Sequence, residues 1–275
     1  MKWFKTIAWS ALILGLFFGN AAASEIVAAG DVANSPTVVG LGIAMTPDYI
    51  GSDNYKAVPL PFVKYTFRGS ERYIKLAGPE LSVNLLNSSS FYLGPLVRYY
   101  GSRDDDVKDD VVKNMNKIDS GLSVGGFVAY EIKGDEPHNK INFTFKFLTD
   151  VSSEYSGYFM DLDVTLWRKV APRWDVFVGA GTTYADDNYM DTYFGVNNNN
   201  RGSVTPAELS NFTAEKGIRD LRAQGGAIWY YDKNWMFGGL LRYQYLLNDA
   251  YNSPIVDKRG DPSQLNAALF AGYRW

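Results

Sequence analysis

Apolar and polar side chains alternate at every second position over several long segments of this chain. Between residues 141 and 147, Ile141 and three phenylalanines alternate with Asn142, Thr144 and Lys146. A period of two residues is the period of a β-strand, in which successive side chains point to opposite faces. The segments reach ~10 residues or more, the length of a tilted strand that crosses a membrane, whereas ordinary strands average ~5–6. The pattern therefore favours membrane-spanning β-strands.

The alternation, together with the turn residues between segments, predicts twelve strands. If residues 72–86 formed a single strand, the barrel would have eleven strands, and the later connections would lie on the opposite sides of the membrane. A barrel of ten strands is the fallback prediction. The predicted strands cover 37–46, 58–67, 72–77, 80–86, 91–100, 120–132, 139–149, 158–169, 173–184, 219–231, 234–247 and 264–275.

Short and long connections alternate between the predicted strands. Bacterial barrels have an even strand number, short periplasmic turns and longer outer loops. Twelve strands place every short turn on one side, and the only short outer connection is Gly78-Pro79. We therefore predict an all-β fold, a closed antiparallel transmembrane β-barrel with both ends in the periplasm.

The first residues predict export. Lys2 and Lys5 precede an apolar stretch, and small residues end at Ala23, so we expect a signal peptide over 1–23. A periplasmic tail over 24–36 and the barrel over 37–275 would follow. The expected location is the outer membrane of a Gram-negative cell, in contact with lipid and lipopolysaccharide.

The amino-acid composition agrees with a barrel wall and narrows the range of possible binding partners. Aromatic residues make up 15% of the chain, yet the mean hydropathy is only −0.19. Alternating walls with aromatic girdles explain both values. A net charge of −3 and a pI near 5.3 argue against nucleic acid as a partner.

Charged residues on the strands are expected to face the lumen, because a lysine or arginine on the lipid face would cost about 2–4 kcal/mol at the bilayer midplane. Asp161 and Asp163 share one face of a strand, and a catalytic carboxylate pair is the alternative to ion pairing with lumen cations. The predicted lumen charge network comprises Arg98, Lys146, Asp161, Asp163, Asp175, Arg222 and Arg242.

No enzymatic, metal or cofactor site is predicted. Cysteine is absent, and the one histidine, His138, is interpreted as a solvent-exposed residue of a periplasmic turn. The acidic runs 104–110 and 186–191 could hold a divalent ion, but their spacing does not match a calcium loop. In the loop 185–218, Thr205-Pro206-Ala207-Glu208 predicts the start of a short helix.

The final strand ends in aromatic residues. Tyr273 and Trp275 lie on its predicted lipid face. Such an ending resembles the signal by which outer-membrane barrels reach their assembly machinery, which we therefore expect to be a partner.

Several motifs, taken in order, give the chain a family likeness. They are 47–52 (PDYIGS), 58–61 (VPLP), 92–95 (YLGP), 103–106 (RDDD), 115–119 (MNKID), 185–196 (ADDNYMDTYFGV) and 248–256 (NDAYNSPIV). In these the mature chain resembles the MipA/OmpV family of outer-membrane proteins. The family often has Gly where Asn248 stands and Phe where Trp275 stands. The family-motif loop supplies Asp186, Asp187, Tyr189, Met190, Tyr193, Phe194 and Gly195 as candidate residues.

The resemblance implies a scaffold and no catalytic residues. The family's namesake is thought to connect a lytic transglycosylase with a bifunctional murein synthase in cell-wall remodelling. A narrow channel and a surface adhesin or antigen are the alternatives. Periplasmic contacts would come from Glu25, Asp31, Arg68, Glu71, Lys133, Asp135, Glu136, Arg173 and Lys233.

Overall fold

The computed structural model describes residues 37–136 and 138–275 of the chain. The expected signal peptide (1–23) and periplasmic tail (24–36) lie outside these residues. These residues form twelve strands, so the predicted number is confirmed, and the readings with ten or eleven strands are wrong. The strands are β1 Thr37–Pro47, β2 Tyr55–Thr66, β3 Tyr73–Ala77, β4 Glu80–Asn84, β5 Phe91–Tyr100, β6 Gly121–Lys133, β7 Lys140–Asp150, β8 Tyr158–Ala171, β9 Trp174–Ala185, β10 Gly217–Tyr230, β11 Trp235–Leu246 and β12 Ser263–Arg274.

The strands form one closed antiparallel barrel in which every strand pairs with its neighbours in sequence. Closure comes from β1 and β12, which pair from Val38 opposite Arg274 to Met45 opposite Ala267. A closed barrel leaves no strand edge exposed to hydrocarbon, where an unpaired backbone group would cost several kcal/mol. Because short turns of such barrels face the periplasm, both barrel ends lie on the periplasmic side.

The two faces of the wall differ as the alternation predicts. On β1, the outward Leu41 and Ile43 are each 57% exposed, while the inward Ala44 is 1% exposed. Leu269 of β12 is 69% exposed. Large apolar side chains exposed over a whole wall are a liability in water but match lipid tails.

Aromatic side chains gather at the periplasmic end of the outward face over β9 to β12. Trp174 lies near Trp229, Trp235 near Tyr273, and Tyr273 near Trp275, with ring centroids 6.4, 5.3 and 6.2 Å apart. These rings form the interfacial girdle of this sector, since Trp and Tyr favour the headgroup level.

The hairpin β3–β4 is the weakest part of the wall. β2 and β3 pair over five residues, β3 and β4 over five, and β4 and β5 over three, whereas every other neighbouring pair matches over eight to twelve. Beside the hairpin, β2 contains Pro59 and Pro61, and Gly78 N donates to Pro61 O. The backbone groups of residues 59 and 61 therefore face the β3–β4 side of β2. Because the pairing on this side is short, an N–H group here could lack a partner, and a proline has no N–H group.

Helices occur only in the outer loops of the described chain, and none of them is long and apolar enough to cross a membrane. They are α1 Asp187–Phe194, α2 Asn248–Asn252 and α3 Pro254–Asp257, with a 3₁₀ turn at Val112–Asn114.

The prediction of a helix that begins at Thr205 is wrong, because residues 205–209 form only one turn. Its capping interactions do form: Thr205 N and Oγ1 both donate to Glu208 Oε2 at 2.8 Å. No amphipathic repeat follows, so the costly helix nucleus is not propagated. The helix of this loop is α1, where Asp186 Oδ1 accepts from Tyr189 N as an N-cap.

Candidate functional site

Charged side chains fill the middle of the lumen. The Glu80 carboxylate on β4 accepts from Arg98 Nη2 at 2.7 Å and from Lys146 Nζ at 2.8 Å. Arg98 Nη2 also donates to Asp161 Oδ2 at 3.0 Å. Since β6 and β7 separate β5 from β8 along the wall, the bond between Arg98 and Asp161 crosses the interior of the barrel.

The same network continues toward the outer mouth through Arg222 of β10. Arg222 Nη2 lies 2.9 Å from Asp163 Oδ1, and Nη1 lies 3.3 Å from Asp220 Oδ1. Thr183 links the two halves, because its Oγ1 donates to Asp161 Oδ1 at 2.8 Å and accepts from Arg222 Nη1 at 2.5 Å.

A glycine makes the contact between Arg222 and Asp163 possible. A Cβ atom at Gly181 of β9 would overlap the Asp163 carboxylate and come within 2.8 Å of Arg222 Nε. The absence of a side chain at Gly181 therefore leaves room for the lumen side chains of β8 and β10.

Sequence reasoning missed Glu80, Arg219 and Asp220. Asp220 lies two residues before Arg222 and Glu80 begins an alternating strand, so the two-residue period could have found both. Arg219 could not be found in this way. The ladder between β9 and β10 shifts register between Ile218 and Asp220, and this irregularity turns the adjacent Arg219 inward as well.

The completed network, here called the central charge network, is balanced. Arg219 Nη2 lies 2.7 Å from Asp220 Oδ2, and Arg219 Nη1 donates to Tyr189 OH at 2.6 Å, which connects the barrel to α1. The network consists of the cations Arg98, Lys146, Arg219 and Arg222 and the carboxylates Glu80, Asp161, Asp163 and Asp220.

Two residues of the predicted network lie elsewhere. Asp175 is buried at the periplasmic end, where Tyr230 OH donates to its Oδ2 at 2.7 Å. Arg242 is buried on β11, with Gln224 of β10 and Asn266 of β12 as its neighbours in register. Neither residue is among the ion pairs of the central charge network.

The outer mouth is covered by packed loops, here called the outer cap. Helix α1 contributes four buried side chains, Tyr189, Met190, Tyr193 and Phe194. Tyr155 of the β7–β8 loop packs against them, with its ring centroid 5.1 Å from that of Tyr189. Other loops supply Ile50, Ile118, Ala250 and Val256 to the same apolar cluster.

A second apolar cluster and several polar contacts join the loops to one another. Arg259 Nη2 pairs with Asp109 Oδ2 at 2.7 Å, and Ser253 Oγ donates to Phe194 O at 2.6 Å. A Cβ atom at Gly195 would overlap Asp191, so a glycine ends α1 at this close approach. The second cluster comprises Tyr49, Val107, Val112, Met115, Val196, Val204, Leu209 and Ile255.

The cation Arg103 is buried inside the outer cap. Arg103 is 3% exposed, and its Nη1 donates to Tyr193 O at 3.0 Å. Burial lowers the pKa of Arg103 to about 10, against the opposing influence of Tyr49 and Tyr193. The interior of the outer cap therefore contains a charged group as well as apolar side chains.

The acidic residues of the outer loops bind other parts of the protein. Asp105 Oδ1 lies 2.6 Å from Lys117 Nζ, and Asp187 Oδ2 lies 3.5 Å from Lys216 Nζ. The Lys216 backbone N–H and ammonium lower the pKa of Asp187. Over residues 37–136 and 138–275, no three acidic or histidine side chains converge on a point that could hold a metal ion.

The periplasmic mouth contains a cavity of about 290 Å³ between the turns of β6–β7, β8–β9 and β10–β11 and the end of β12. His138 lines it, and the interpretation of this residue as merely solvent-exposed is wrong. Its Nδ1 lies 2.7 Å from Asp175 Oδ2, and its side chain is 28% exposed. The turn folds back over the lumen, and sequence alone could not foresee that proximity.

The two C-terminal candidates lie on the outward face at the periplasmic interface. Tyr273 is 38% exposed and Trp275 is 64% exposed. Their position belongs to the aromatic girdle, and a role as an assembly signal stays a prediction.

Two solved structures are similar to this chain at low sequence identity. The translocator domain of autotransporter NalP from Neisseria meningitidis has a TM-score of 0.47 at 11% identity, covering 92% of this chain and 93% of that one. An outer membrane channel from Pseudomonas putida F1 has a TM-score of 0.46 at 11% identity, covering 88% and 97%. No curated protein sequence matches the chain.

A family model covers almost the whole described chain. Residues 39–275, from the first strand to the final tryptophan, match the model described as MltA-interacting protein MipA. The closed barrel and its lipid-facing belt agree with a protein of the outer membrane. The chain therefore belongs to the MipA family of outer-membrane β-barrel proteins.

Proposed function

We propose that this barrel is a non-enzymatic scaffold that brings a murein hydrolase and a murein synthase together at the periplasmic face of the outer membrane. The family model is named for an interaction with MltA, and a scaffold role is what this resemblance implies. The structural observation that supports the proposal is the contrast between the two ends of the barrel.

The outer end offers little to a permeating solute. Helix α1 and the loops pack over the mouth, with Met190 and Phe194 both 0% exposed. Below them, the bond between Arg98 and Asp161 crosses the interior. A filled and capped lumen favours a structural or interaction role over conduction.

The periplasmic end carries a rim of exposed charged side chains. Short turns present exposed side chains there, among them Arg68, Glu71, Lys133, Arg173 and Lys233. Charged rims of this kind steer partners and set specificity, and so suit a docking face for wall enzymes.

Co-purification from native envelopes tests the proposal. We expect the tagged full-length barrel to retain a lytic transglycosylase and a bifunctional murein synthase after mild solubilisation, whereas an unrelated outer-membrane barrel retains neither. Charge reversal in the periplasmic turns, Arg68→Glu with Lys133→Glu, should lower recovery of both enzymes. Reversal of the exposed outer-loop residue Lys258→Glu is the matched control and should leave recovery unchanged.

Single-channel recording separates this role from that of a narrow channel. We expect the purified barrel to be silent in a planar bilayer. Steady conductance from the intact barrel, together with absent enzymes in the co-purification, would replace the scaffold with the channel.

A further inference from the structure

The cavity at the periplasmic mouth carries an excess of positive charge. Lys169, Arg173, Lys233 and Arg274 line it, against two carboxylates, Asp175 and Asp232. Within the described residues, the side chains of Lys169, Arg173 and Lys233 form no ion pair.

Both carboxylates of the cavity are already occupied. Asp175 Oδ2 accepts from Tyr230 OH and lies 2.7 Å from His138 Nδ1. Asp232 accepts from the backbone N–H groups of Asn234 and Trp235, each at 2.7 Å, and these bonds lower the pKa of Asp232. The carboxylates therefore shape the floor of the cavity and one of its turns, and they leave Lys169, Arg173 and Lys233 available to a ligand.

One cation is held in a fixed position. Arg274 Nε donates to Lys233 O at 3.1 Å, and the guanidinium carbon lies 4.1 Å from the centre of the Tyr230 ring. A guanidinium oriented by its neighbours loses little conformational freedom when it binds an anion. The cavity thus combines one ordered cation with three exposed ones.

The position of the cavity identifies the phase from which a ligand comes. Asp175 and Tyr230 are inward-facing residues of β9 and β10, while the aromatic girdle stands on the opposite face of the same strands. Lipid headgroups therefore lie on the far side of the wall from the cavity. A ligand must approach from the aqueous periplasm.

The size of the cavity argues for a small group. At about 290 Å³ it is at the lower limit for small-molecule sites, ~300–1,000 Å³. A stable protein partner would instead cover ~800 Å² of surface on each side. The polymer that faces this mouth in the periplasm is peptidoglycan, whose stem peptides carry free carboxylates.

We propose that this cavity binds the carboxylate-bearing stem peptide of peptidoglycan, through Lys169, Arg173, Lys233 and Arg274. The inference rests on the proposed function and deepens it, because the scaffold would then contact the wall polymer as well as the enzymes. A carboxylate forms charge-assisted hydrogen bonds with guanidinium groups, and a neutral ligand cannot form hydrogen bonds of this kind.

Calorimetry on the purified, detergent-solubilised barrel tests this binding with a soluble muropeptide, the disaccharide tetrapeptide. The triple variant Lys169→Gln, Arg173→Gln, Lys233→Gln should bind it about tenfold more weakly or worse, because charge-assisted hydrogen bonds are lost. The matched control, Lys117→Gln, Arg168→Gln, Lys258→Gln, removes the same charge from exposed positions outside the cavity and should bind as the wild type does. Heat-modifiable migration of every variant verifies that it is folded.

Three further probes separate the sources of an anion. A muropeptide with amidated carboxylates and a neutral disaccharide of two N-acetylglucosamine units, which carries no carboxylate, should both fail to bind. Equal binding of the intact and amidated muropeptides would overturn the proposal, as would a stronger response to short-chain phosphatidylglycerol than to the muropeptide. No enzyme is present in this experiment. Muropeptide binding without co-purification of the enzymes would therefore contradict the scaffold proposal and support the proposed binding site in the cavity.

Discussion

Arg222 contacts three carboxylates in the interior of the barrel. Its guanidinium lies 2.9 Å from Asp163, 3.3 Å from Asp220 and 3.7 Å from Asp161. The side chain is only 4% exposed, so water cannot replace it. At this scale the two aspartates that could have formed a catalytic pair are instead partners of an arginine.

Replacing Arg222 should therefore destabilise the barrel. We expect Arg222→Gln to cost about 3–5 kcal/mol of unfolding free energy, because breaking a buried pair leaves charges uncompensated. The urea midpoint for loss of the fast-migrating folded band measures the effect, with the exposed Arg68→Gln as control. A midpoint equal to that of the control would show that the central charge network does not stabilise the lumen.

The predictability of single residues depended on whether a regular period governed them. Arg98, Lys146, Asp161, Asp163 and Arg222 follow the alternation of their strands, so their inward direction could be read from the sequence. Arg219 and the partner of His138 depend on a register shift and on a turn that folds inward. The register shift and the inward fold of the turn depend on how the strands pair, and the sequence of a single segment does not determine that pairing.

At the scale of elements, β3 and β4 differ from the rest of the wall. The hairpin pairs over few residues, prolines stand beside it on β2, and Glu80 at its tip ties it to Arg98 and Lys146. Few ladder hydrogen bonds and one electrostatic anchor predict a locally less stable segment.

Hydrogen exchange should detect this difference. Backbone amides of β3 and β4 should exchange faster than those of β10, whose ladders extend over eleven and twelve residue pairs. Glu80→Gln should accelerate exchange in the hairpin further, because a neutral amide binds the two cations less strongly. Exchange as slow as in β10, in both proteins, would contradict the assignment of a weak hairpin.

Helices were harder to predict than strands. Asp186 followed by Tyr189, Met190, Tyr193 and Phe194 has the N-cap and the i, i+4 spacing of a helix with one apolar face, so α1 carried a usable signal. The segment at Thr205 had the stronger local motif but no apolar repeat behind it. Packing of the outer cap decided between the two.

At the scale of the whole molecule, the barrel has an apolar exterior and a charged interior. That inversion is stable only while lipid or detergent covers the belt formed by residues such as Leu41, Ile43 and Leu269. We expect the mature protein to require detergent, and to migrate faster in electrophoresis when it is not boiled. Identical migration with and without boiling, or recovery in the aqueous fraction, would contradict a closed barrel in the membrane.

The sequence by itself determined the class of fold, the twelve strands and the direction of most strand side chains. It could do so because a two-residue period and the alternation of short and long connections are local properties. Only the tertiary structure decided that the outer loops pack into a cap, that Glu80 and Arg219 join the central charge network, and that His138 meets Asp175 beside a basic cavity. Each of these depends on residues far apart in the chain, which strand pairing, the folding of the turns and the closure of the barrel bring together.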